Sequence, residues 1–391
     1  MSGAAHGACH DCAQPGLGSP SENRFTAYDS ICRGDLCRSA GFPQVFVNMS
    51  DLTLFLQVTD LTFGGPPPAL SLDRSFNQDD PQAGPFGVGW SFNLGDSLTP
   101  DSDGSLVLRR SSGHIDRFAT AAPGSAFFAV SATSDTLAKN SDGTYTLRSS
   151  ASNTSRVFSA AGRLMAIQDV GATRVSLDYD GSGNLTAAHY RGRVLKFSYD
   201  GSGHIASVTD PTGRTIGYAY SSDGRLTQQT NADGQTVGYQ YDDSGNLTAI
   251  SYGGSNIAIA YAGDPGFTAV SSVTAGGLVR KYDIPLTPTQ TRLTDGNGDA
   301  TLYTSNAAGL LLAVTDANGN TVSHTYDSAG HRVSTVNGSG ETSKFTYDAN
   351  GNLTGASDAA GNRWTADYTG NRPAHITDPN GNVWTLKYDA A

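Results

Sequence analysis

The chain has 391 residues, of which 16% are charged, and a formal net charge of −11. This length exceeds one ordinary domain and allows a large core. The acidic balance and the lack of a basic cluster exclude a nucleic-acid groove, which needs Lys and Arg concentrated on one face. No apolar run reaches the roughly 18 residues that indicate a membrane span.

Aspartate and glycine dominate the composition and predict turns rather than helices. The sequence contains 34 Asp but 2 Glu, and 20 Arg but 5 Lys, together with 47 Gly and 16 Pro. Glu and Lys favour helices, whereas Asp and Gly favour turns. We therefore expect an all-β fold with almost no helix.

Residues 1–43 are predicted to form an N-terminal arm, because they are rich in Gly, Ala, Ser and Pro and show no periodic pattern. The arm holds all four cysteines of the chain: Cys9, Cys12, Cys32 and Cys37. Three disulfide connectivities are open, and the spacing, with His6 and His10 nearby, also fits zinc ligands or free thiols. We expect no signal peptide within this chain, since the basic start and apolar stretch are not recognisable.

Residues 44–165 are predicted to form an N-terminal β domain. The segments 44–63 and 70–77 alternate apolar and polar positions, as half-buried strands do, and glycine and proline separate them. Further short strands follow, divided by Asp-Gly and Ser-Gly turns: 105–110, 114–118, 127–130, 144–148 and 156–158.

Two features suggest recognition of a cell-surface receptor or a glycan. Arg33-Gly34-Asp35 is bracketed by cysteines and resembles an integrin-binding loop, although such a tripeptide also arises by chance. Phe86 and Trp90 lie among three glycines and fit an aromatic sugar platform. We favour a structural corner for these two rings, because a strand follows them directly and Trp is usually largely buried.

Residues 166–391 repeat one unit of 20 or 21 residues about ten times. In one complete copy, Val237, Tyr239 and Tyr241 alternate with small or polar residues, and 242–245 supplies an Asp-x-x-Gly turn. A tyrosine ends the same strand in most copies: Tyr179, Tyr199, Tyr220, Tyr241, Tyr261, Tyr282, Tyr326, Tyr347, Tyr368 and Tyr388. A second turn lies midway, so one unit reads strand, turn, strand, turn.

A single hairpin buries only one side and is marginal in isolation, so neighbouring units must pair edge to edge. The expected architecture is a strip of β-hairpins whose alternating apolar residues line an inner face. The register breaks after Tyr282, where Pro285 and Pro288 cannot both lie in a central strand. We expect a bulge or small loop there, and Ser305 takes the place of the next tyrosine.

The segments 241–247 (YDDSGNL) and 347–353 (YDANGNL) resemble the YD repeats of RHS proteins, teneurins and the shell components of Tc toxins. The segments 72–77 (LDRSFN) and 84–90 (GPFGVGW) are similar to the part that precedes those repeats in bacterial RHS proteins. Together they resemble the N-terminal part of an RHS shell. The resemblance implies a β-strip that spirals into a hollow shell or solenoid. Such a shell encloses a toxic segment in RHS and Tc proteins and is an extracellular adhesion scaffold in teneurins.

No catalytic, cofactor-binding or metal-binding set of residues is evident in the sequence, and we expect neither an enzyme nor a cofactor. Asp295, Asn297 and Asp299 resemble half of a calcium loop, but the Gly and Glu required at its later positions are missing. A repeat turn explains these three residues better. His324 lies on the inner face and is expected to be a hydrogen-bonded core residue.

The sequence favours a non-enzymatic scaffold, located outside the cell or at its surface, that walls off a protein cargo or presents a surface. The alternative is an adhesin or filament subunit that self-associates head to tail, because an uncapped sheet edge recruits other strands. Both hypotheses make other protein chains the partners. An enzyme that acts on glycans near Trp90 is the third and weakest hypothesis.

Overall fold

The computed structural model describes residues 28–31, 43–63, 70–120, 126–129, 135–149, 154–169, 172–263, 268–283, 289–349, 351–369 and 372–387. The pairing of the cysteines, the Arg-Gly-Asp tripeptide and the loop predicted after Tyr282 lie outside these residues. The described residues form strands and turns without a helix, which confirms the all-β prediction. They therefore include no helix that could cross a membrane.

Eleven strands precede the repeats. They are β1 (Tyr28–Ile31), β2 (Gln44–Asn48), β3 (Leu54–Phe63), β4 (Leu70–Asn77), β5 (Ala83–Gly84), β6 (Gly87–Val88), β7 (Trp90–Phe92), β8 (Ser97–Pro100), β9 (Leu106–Arg109), β10 (Ile115–Thr120) and β11 (Phe127–Ala129). Five of them form what we call the N-terminal sheet, in the order β1-β2-β3-β4-β7. β5 and β6 form a small hairpin, and β8 to β11 form a four-stranded sheet.

The remaining strands pair in chain order, each antiparallel to the next, and form one 25-stranded sheet that we call the strip. They are β12 (Thr136–Lys139), β13 (Tyr145–Arg148), β14 (Thr154–Phe158), β15 (Leu164–Asp169), β16 (Ala172–Tyr179), β17 (Leu185–Tyr190), β18 (Arg193–Tyr199), β19 (Ile205–Thr209), β20 (Thr215–Tyr220), β21 (Leu226–Thr230), β22 (Thr236–Tyr241), β23 (Leu247–Tyr252), β24 (Ser255–Ala262), β25 (Ala269–Ala275), β26 (Leu278–Asp283), β27 (Gln290–Thr294), β28 (Ala300–Ser305), β29 (Leu311–Thr315), β30 (Thr321–Tyr326), β31 (Arg332–Val336), β32 (Thr342–Tyr347), β33 (Leu353–Ser357), β34 (Arg363–Thr369), β35 (Arg372–Thr377) and β36 (Val383–Thr385). The edge-to-edge pairing predicted from the repeat is thus confirmed.

The Asp-x-x-Gly turns close the hairpins of the strip, and the turn that begins at Asp210 shows how. The Gly213 N–H donates to the Asp210 carbonyl at 3.0 Å, and Asp210 Oδ1 accepts the N–H groups of Thr212 and Arg214 at 2.8 and 3.0 Å. Gly213 has a φ of 89°, a left-handed conformation that glycine adopts without steric cost. This chemistry accounts for the recurring spacing of Asp and Gly, and Asn or Ser takes the place of Asp in turns such as those at Asn231 and Ser221.

A β-bulge precedes most of the tyrosines that end the long strands. The register shifts between Ala219 and Tyr220, for example, and again between Gln240 and Tyr241. An extra residue on one strand bends it and increases its twist. The strip is consequently bent once per repeat, a feature that the spacing of the repeat did not predict.

The strip begins at Thr136, so its pairing crosses the boundary between 44–165 and 166–391 that was drawn from the repeat pattern. The Leu98 N–H donates to the Gly162 carbonyl at 2.8 Å and joins the four-stranded sheet to the strip. The division of the chain into 1–43, 44–165 and 166–391 stays a proposal.

The N-terminal sheet packs on the inner face of the strip, and the two share one hydrophobic core. The Ile205 N–H donates to the Pro85 carbonyl in the β5–β6 hairpin, and the Val270 N–H donates to the Leu52 carbonyl in the turn between β2 and β3, both at 2.8 Å. These two contacts lie on β19 and β25, which are six strands or about 30 Å apart along the strip, because neighbouring strands are about 4.8 Å apart. We call strands β19 to β25 the docking region.

Candidate functional site

The inner face of the strip is built from positions that recur in every hairpin. On β20 these are Ile216, Tyr218 and Tyr220, and the neighbouring β21 contributes Leu226 and Gln229. Tyr220 pairs with Leu226, and Tyr218 pairs with Gln229. We call the place of Tyr220 the closing position and the place of Tyr218 the middle position. The place of Gln229, opposite the middle position, is called the paired position.

The closing tyrosines tie three strands together. Tyr199, for example, pairs with Ile205 on the following strand, and its hydroxyl donates to the Leu185 carbonyl on the preceding strand at 3.0 Å. The same bond, between 2.6 and 3.0 Å long, links these pairs: Tyr179 and Leu164, Tyr220 and Ile205, Tyr261 and Leu247, Tyr326 and Leu311, Tyr347 and Arg332, and Tyr368 and Leu353. Each tyrosine therefore acts as a clamp between adjacent hairpins.

Burial of the tyrosine hydroxyls changes their acidity, because a buried phenol resists ionisation. It raises the pKa of Tyr179, Tyr199 and Tyr326 to about 12. The clamps therefore keep their protons at neutral pH.

The inner face is covered along the first part of the strip. The residues at the middle positions there are at most 8% exposed: Leu177, Phe197, Tyr218, Tyr239 and Ile259. They belong to the same core as the N-terminal sheet. In this part of the strip, the face takes a β-sheet as its partner.

The inner face is open in the last hairpins. Leu353 and Trp364 are 40% and 41% exposed, and Trp384 and Leu386 are 52% and 37% exposed. Trp364 pairs with Ala356, which pairs in turn with the middle-position residue Phe345, so these side chains continue the rows that are buried earlier. We call Leu353, Trp364, Trp384 and Leu386 the open face.

Family models match three parts of the chain. A domain of unknown function (DUF6531) matches residues 46–118, the teneurin YD-shell matches 139–257, and the RHS repeat matches 306–342 and 331–363. Residues 139–257 and 306–363 are therefore YD (RHS) repeats. The resemblance stated from the sequence is thereby confirmed. A comparison with curated proteins gives no significant match.

Solved structures of Tc toxin components are similar to the YD-repeat chain at low identity. A crystal structure of TcdB2-TccC3-Cdc42 has 14% identity and a TM-score of 0.40, and the match covers 85% of this chain. TcdB2-TccC3 without its hypervariable C-terminal region has 13% identity and a TM-score of 0.42 over 83% of this chain. A mutant Tc holotoxin pore of Photorhabdus luminescens has 14% identity and a TM-score of 0.42 over 86%. This chain spans 22% of the length of each of these structures.

Phe86 and Trp90 lie in the core of the YD-repeat protein rather than at its surface. Both residues are 0% exposed, and Trp90 Nε1 donates to the Tyr241 hydroxyl at 3.1 Å. The ring of Phe86 packs edge to face on Tyr218, with 5.0 Å between the ring centroids. The structural corner is therefore confirmed for these two rings, and a sugar platform is wrong because a buried ring cannot stack on a soluble glycan.

The other residues singled out from the sequence have structural partners. Asp295 Oδ1 accepts the N–H groups of Asn297 and Asp299 at 2.9 and 3.0 Å, as in the other repeat turns. His324 Nδ1 lies 3.0 Å from the Thr335 hydroxyl, and burial lowers the pKa of His324 to about 4. The turn and core roles predicted for these residues agree with these contacts.

Sequence reasoning missed a buried ion pair between Arg74 and Asp60. Both side chains are 0% exposed, and Arg74 Nη2 donates to Asp60 Oδ1 at 2.8 Å. Asp60 also accepts the Tyr218 hydroxyl at 2.6 Å, and the guanidinium lies 4.7 Å from the ring of Trp90. Arg74 lies on β4 and Tyr218 on β20, 144 residues apart in the chain, so no local pattern signals this contact.

A polar cavity of about 540 Å³ lies where the β5–β6 hairpin meets two turns of the strip. Asp200, His204, Tyr220 and Asp223 contribute to its lining. The His204 ring stacks on the Tyr220 ring, with 4.6 Å between their centroids. The Asp200 and Asp223 carboxylates bond to groups of their own turns, so the cavity presents no set of free acids for catalysis.

Proposed function

We propose that this YD-repeat protein is a non-enzymatic extracellular shell wall whose open face holds an extended segment of another protein chain. One observation carries the proposal. The same inner-face positions that a β-sheet buries along the first part of the strip remain exposed in its last hairpins. A β-sheet already covers this surface along the first part of the strip. The exposed part continues the same rows of residues, which supports binding of another polypeptide there.

The chemistry of the open face supports a polypeptide as its occupant. Leu353, Trp364, Trp384 and Leu386 supply apolar and aromatic surface, which in a soluble protein marks an interaction site. Arg332 lies over the ring of Phe345, a middle-position residue, at 5.4 Å, and its carbonyl accepts a hydrogen bond from the Tyr347 hydroxyl. The face therefore favours apolar side chains of a partner over a charged small molecule.

The proposed location outside the cell and the proposed lack of enzyme activity rest on different features. The four cysteines suit an oxidising compartment, and teneurins, to which the repeats are similar, are extracellular. The aspartates of the repeats serve their own turns, as Asp295 does, rather than converging on a reaction centre. Both features support a steric role, in which the strip encloses or presents a partner.

An unfolded polypeptide tests the proposal. Reduced and carboxymethylated lactalbumin, which is unfolded, serves as the probe. Its binding to the YD-repeat protein is measured by fluorescence anisotropy, and folded lactalbumin serves as the control. We expect the Trp364→Gln/Trp384→Gln variant to bind the unfolded probe about tenfold more weakly, since buried aromatic anchors dominate such interfaces.

The matched control changes the outer face of the same two strands. The Thr365→Ala/Thr385→Ala variant should bind the unfolded probe as the unchanged protein does. Equal binding by the tryptophan variant, or equal binding of folded and unfolded lactalbumin, would overturn the proposal.

Self-association through the sheet edge is the second candidate. The described strands of the strip pair edge to edge in chain order, and pairing of this kind can extend to strands of another chain. Light scattering after gel filtration distinguishes the candidates: particles of 40.6 kDa support the shell wall, and ordered polymers support the filament.

A further inference from the structure

The N-terminal sheet docks on a surface that repeats itself. The two backbone contacts that the N-terminal sheet and its β5–β6 hairpin make here use Ile205, which pairs with Tyr199, and Val270, which pairs with Tyr261. Both residues therefore occupy the same place in their hairpins, opposite a closing tyrosine. Leu226 and Leu247 hold that place in the two hairpins between them. The position that makes these backbone contacts and the apolar rows recur along the docking region, so they do not distinguish one hairpin from the next.

The polar residues of the docking region do distinguish the hairpins. Tyr218 and its partner Gln229 put a hydroxyl and an amide at paired middle positions. The pairs in the flanking hairpins of the docking region carry apolar residues at one or both positions: Phe197 and Val208, Tyr239 and Ile250, and Ile259 and Val273. Tyr303, farther along the strip, pairs with Val314. Within the described strip, Gln229 is the single carboxamide among these positions.

Tyr218 and Tyr239 of the strip meet the buried charges of the N-terminal sheet. The Tyr218 hydroxyl donates to Asp60 at 2.6 Å, and the Arg74 guanidinium lies 5.1 Å from the Tyr218 ring. The Tyr239 ring packs edge to face on Trp90, with 5.1 Å between centroids, beside the same guanidinium. Among the described hairpins of the docking region, that of β20 and β21 alone combines this hydroxyl with an amide on the paired residue, Gln229.

One member of this cluster is buried without satisfaction: both amide atoms of Gln229 have no hydrogen-bond partner among the described residues. The Tyr239 hydroxyl and the Arg74 side chain interact with each other. Buried polar groups without partners destabilise a structure, so the cluster is a poor device for stability alone. Buried polar groups that persist in an apolar interface are best known for fixing its register.

We infer that Asp60 and Arg74 of the N-terminal sheet, with Tyr218, Gln229 and Tyr239 of the strip, form a register site. This site selects the hairpin of the repetitive strip on which the N-terminal sheet docks. A sheet displaced by one hairpin meets apolar rows of the same kind but not the same polar partners. In one direction Phe197 takes the place of Tyr218 and offers Asp60 no hydroxyl. In the other direction Ile259 takes the place of Tyr239 beside Arg74. The buried ion pair then loses part of its polar surroundings, and a buried charged group that loses a hydrogen bond is destabilised more than a neutral one.

Hydrogen exchange followed by mass spectrometry tests the inference, because the amides of Ile205 and Val270 report on docking. The Asp60→Leu/Arg74→Met variant removes both charges together, a change that is often neutral for stability. We expect the variant to fold, and the peptides that carry these two amides to show two exchanging populations. The faster population should exchange about tenfold faster or more than the unchanged protein.

A second variant keeps the inference testable if the first one does not fold. Tyr218→Phe/Gln229→Leu removes the polar groups from the strip and leaves the ion pair in the N-terminal sheet intact. It should also produce two populations at Ile205 and Val270. The control Tyr303→Phe deletes a hydroxyl at the same middle position outside the docking region and should leave one population.

Two results would overturn the inference. One is a folded variant whose Ile205 and Val270 amides keep the single slow population of the unchanged protein. The other is a uniform acceleration that also reaches the Gly319 amide, which bonds to the Asp316 carbonyl far from the docking region. That uniform change is the signature of a cluster that only stabilises the fold.

Discussion

The closing tyrosine explains at the residue scale why a Tyr-Asp pair recurs in this sequence. The aspartate caps the turn that follows, as Asp242 does for the N–H of Asn246 at 2.8 Å. The tyrosine pairs with one neighbouring strand and clamps the carbonyl of the other, as Tyr199 does with Leu185. Aromatic periodicity alone predicted that these rings face inward, but it did not predict the acceptor of the hydroxyl.

Loss of one clamp should destabilise the strip by a measurable amount. Tyr199→Phe leaves the Leu185 carbonyl without its donor, and we expect the free energy of unfolding to fall by about 1–2 kcal/mol in urea titrations. Tyr252→Phe is the control, because the Tyr252 hydroxyl bonds to an exposed Gln235 side chain, and it should change stability by less than half as much. Equal losses in the two variants would refute the clamp.

The clamps also make the strip sensitive to alkali. Burial raises the pKa of Tyr179, Tyr199 and Tyr326 to about 12, whereas an unfolded tyrosine titrates near 10. Above about pH 10 the unfolded chain loses these protons first, so the contribution of the clamps is full below pH 10 and is lost toward pH 12. Circular dichroism and tyrosinate absorbance should change together in this window. Ionisation of Tyr179, Tyr199 or Tyr326 itself near pH 10 in a fully folded strip would contradict the prediction.

At the scale of elements, the sequence predicted the strands and turns well because both depend on local chemistry. The Asp-x-x-Gly spacing marks each turn, and the alternation in 236–241 marks a strand that the structure places at the same residues. The bulges before the tyrosines were not predictable, since a register shift such as that at Ala219 and Tyr220 depends on how two strands pair.

One turn joins the four-stranded sheet to the strip and should not tolerate a side chain. Gly162 has a φ of 81°, and an added Cβ would lie 1.8 Å from the Leu98 carbonyl oxygen. Gly143 has a similar φ of 86°, but the nearest atom to its Cβ would be 3.9 Å away. Gly143→Ala should cost about 1 kcal/mol from its left-handed conformation alone, and Gly162→Ala at least about twice as much. Urea unfolding of the two variants measures the difference, and equal costs would show that the junction does not form.

At the scale of the whole molecule, the long-range contacts between the N-terminal sheet and the strip decide which parts of the inner face are available. The Thr291 hydroxyl reaches the Met49 carbonyl across 242 residues of chain, and Tyr218 reaches Asp60 across 158. No spacing in the sequence encodes such contacts, so sequence analysis predicted an inner face but neither its cover nor its open part. The structure reveals the open face through the exposure of the tryptophan side chains: Trp90 is buried, whereas Trp364 and Trp384 are exposed.

The three tryptophans of the chain allow one direct measurement of this arrangement. Oxidation of the folded protein by N-bromosuccinimide, with the modified peptides quantified by mass spectrometry, reports on each indole separately. Trp364 and Trp384 should react rapidly and Trp90 slowly, and all three should react alike in denaturant. Rapid oxidation of Trp90 in the folded protein, or protection of Trp364 and Trp384 in the isolated chain, would contradict an inner face that the N-terminal sheet covers in one part and leaves open in the other.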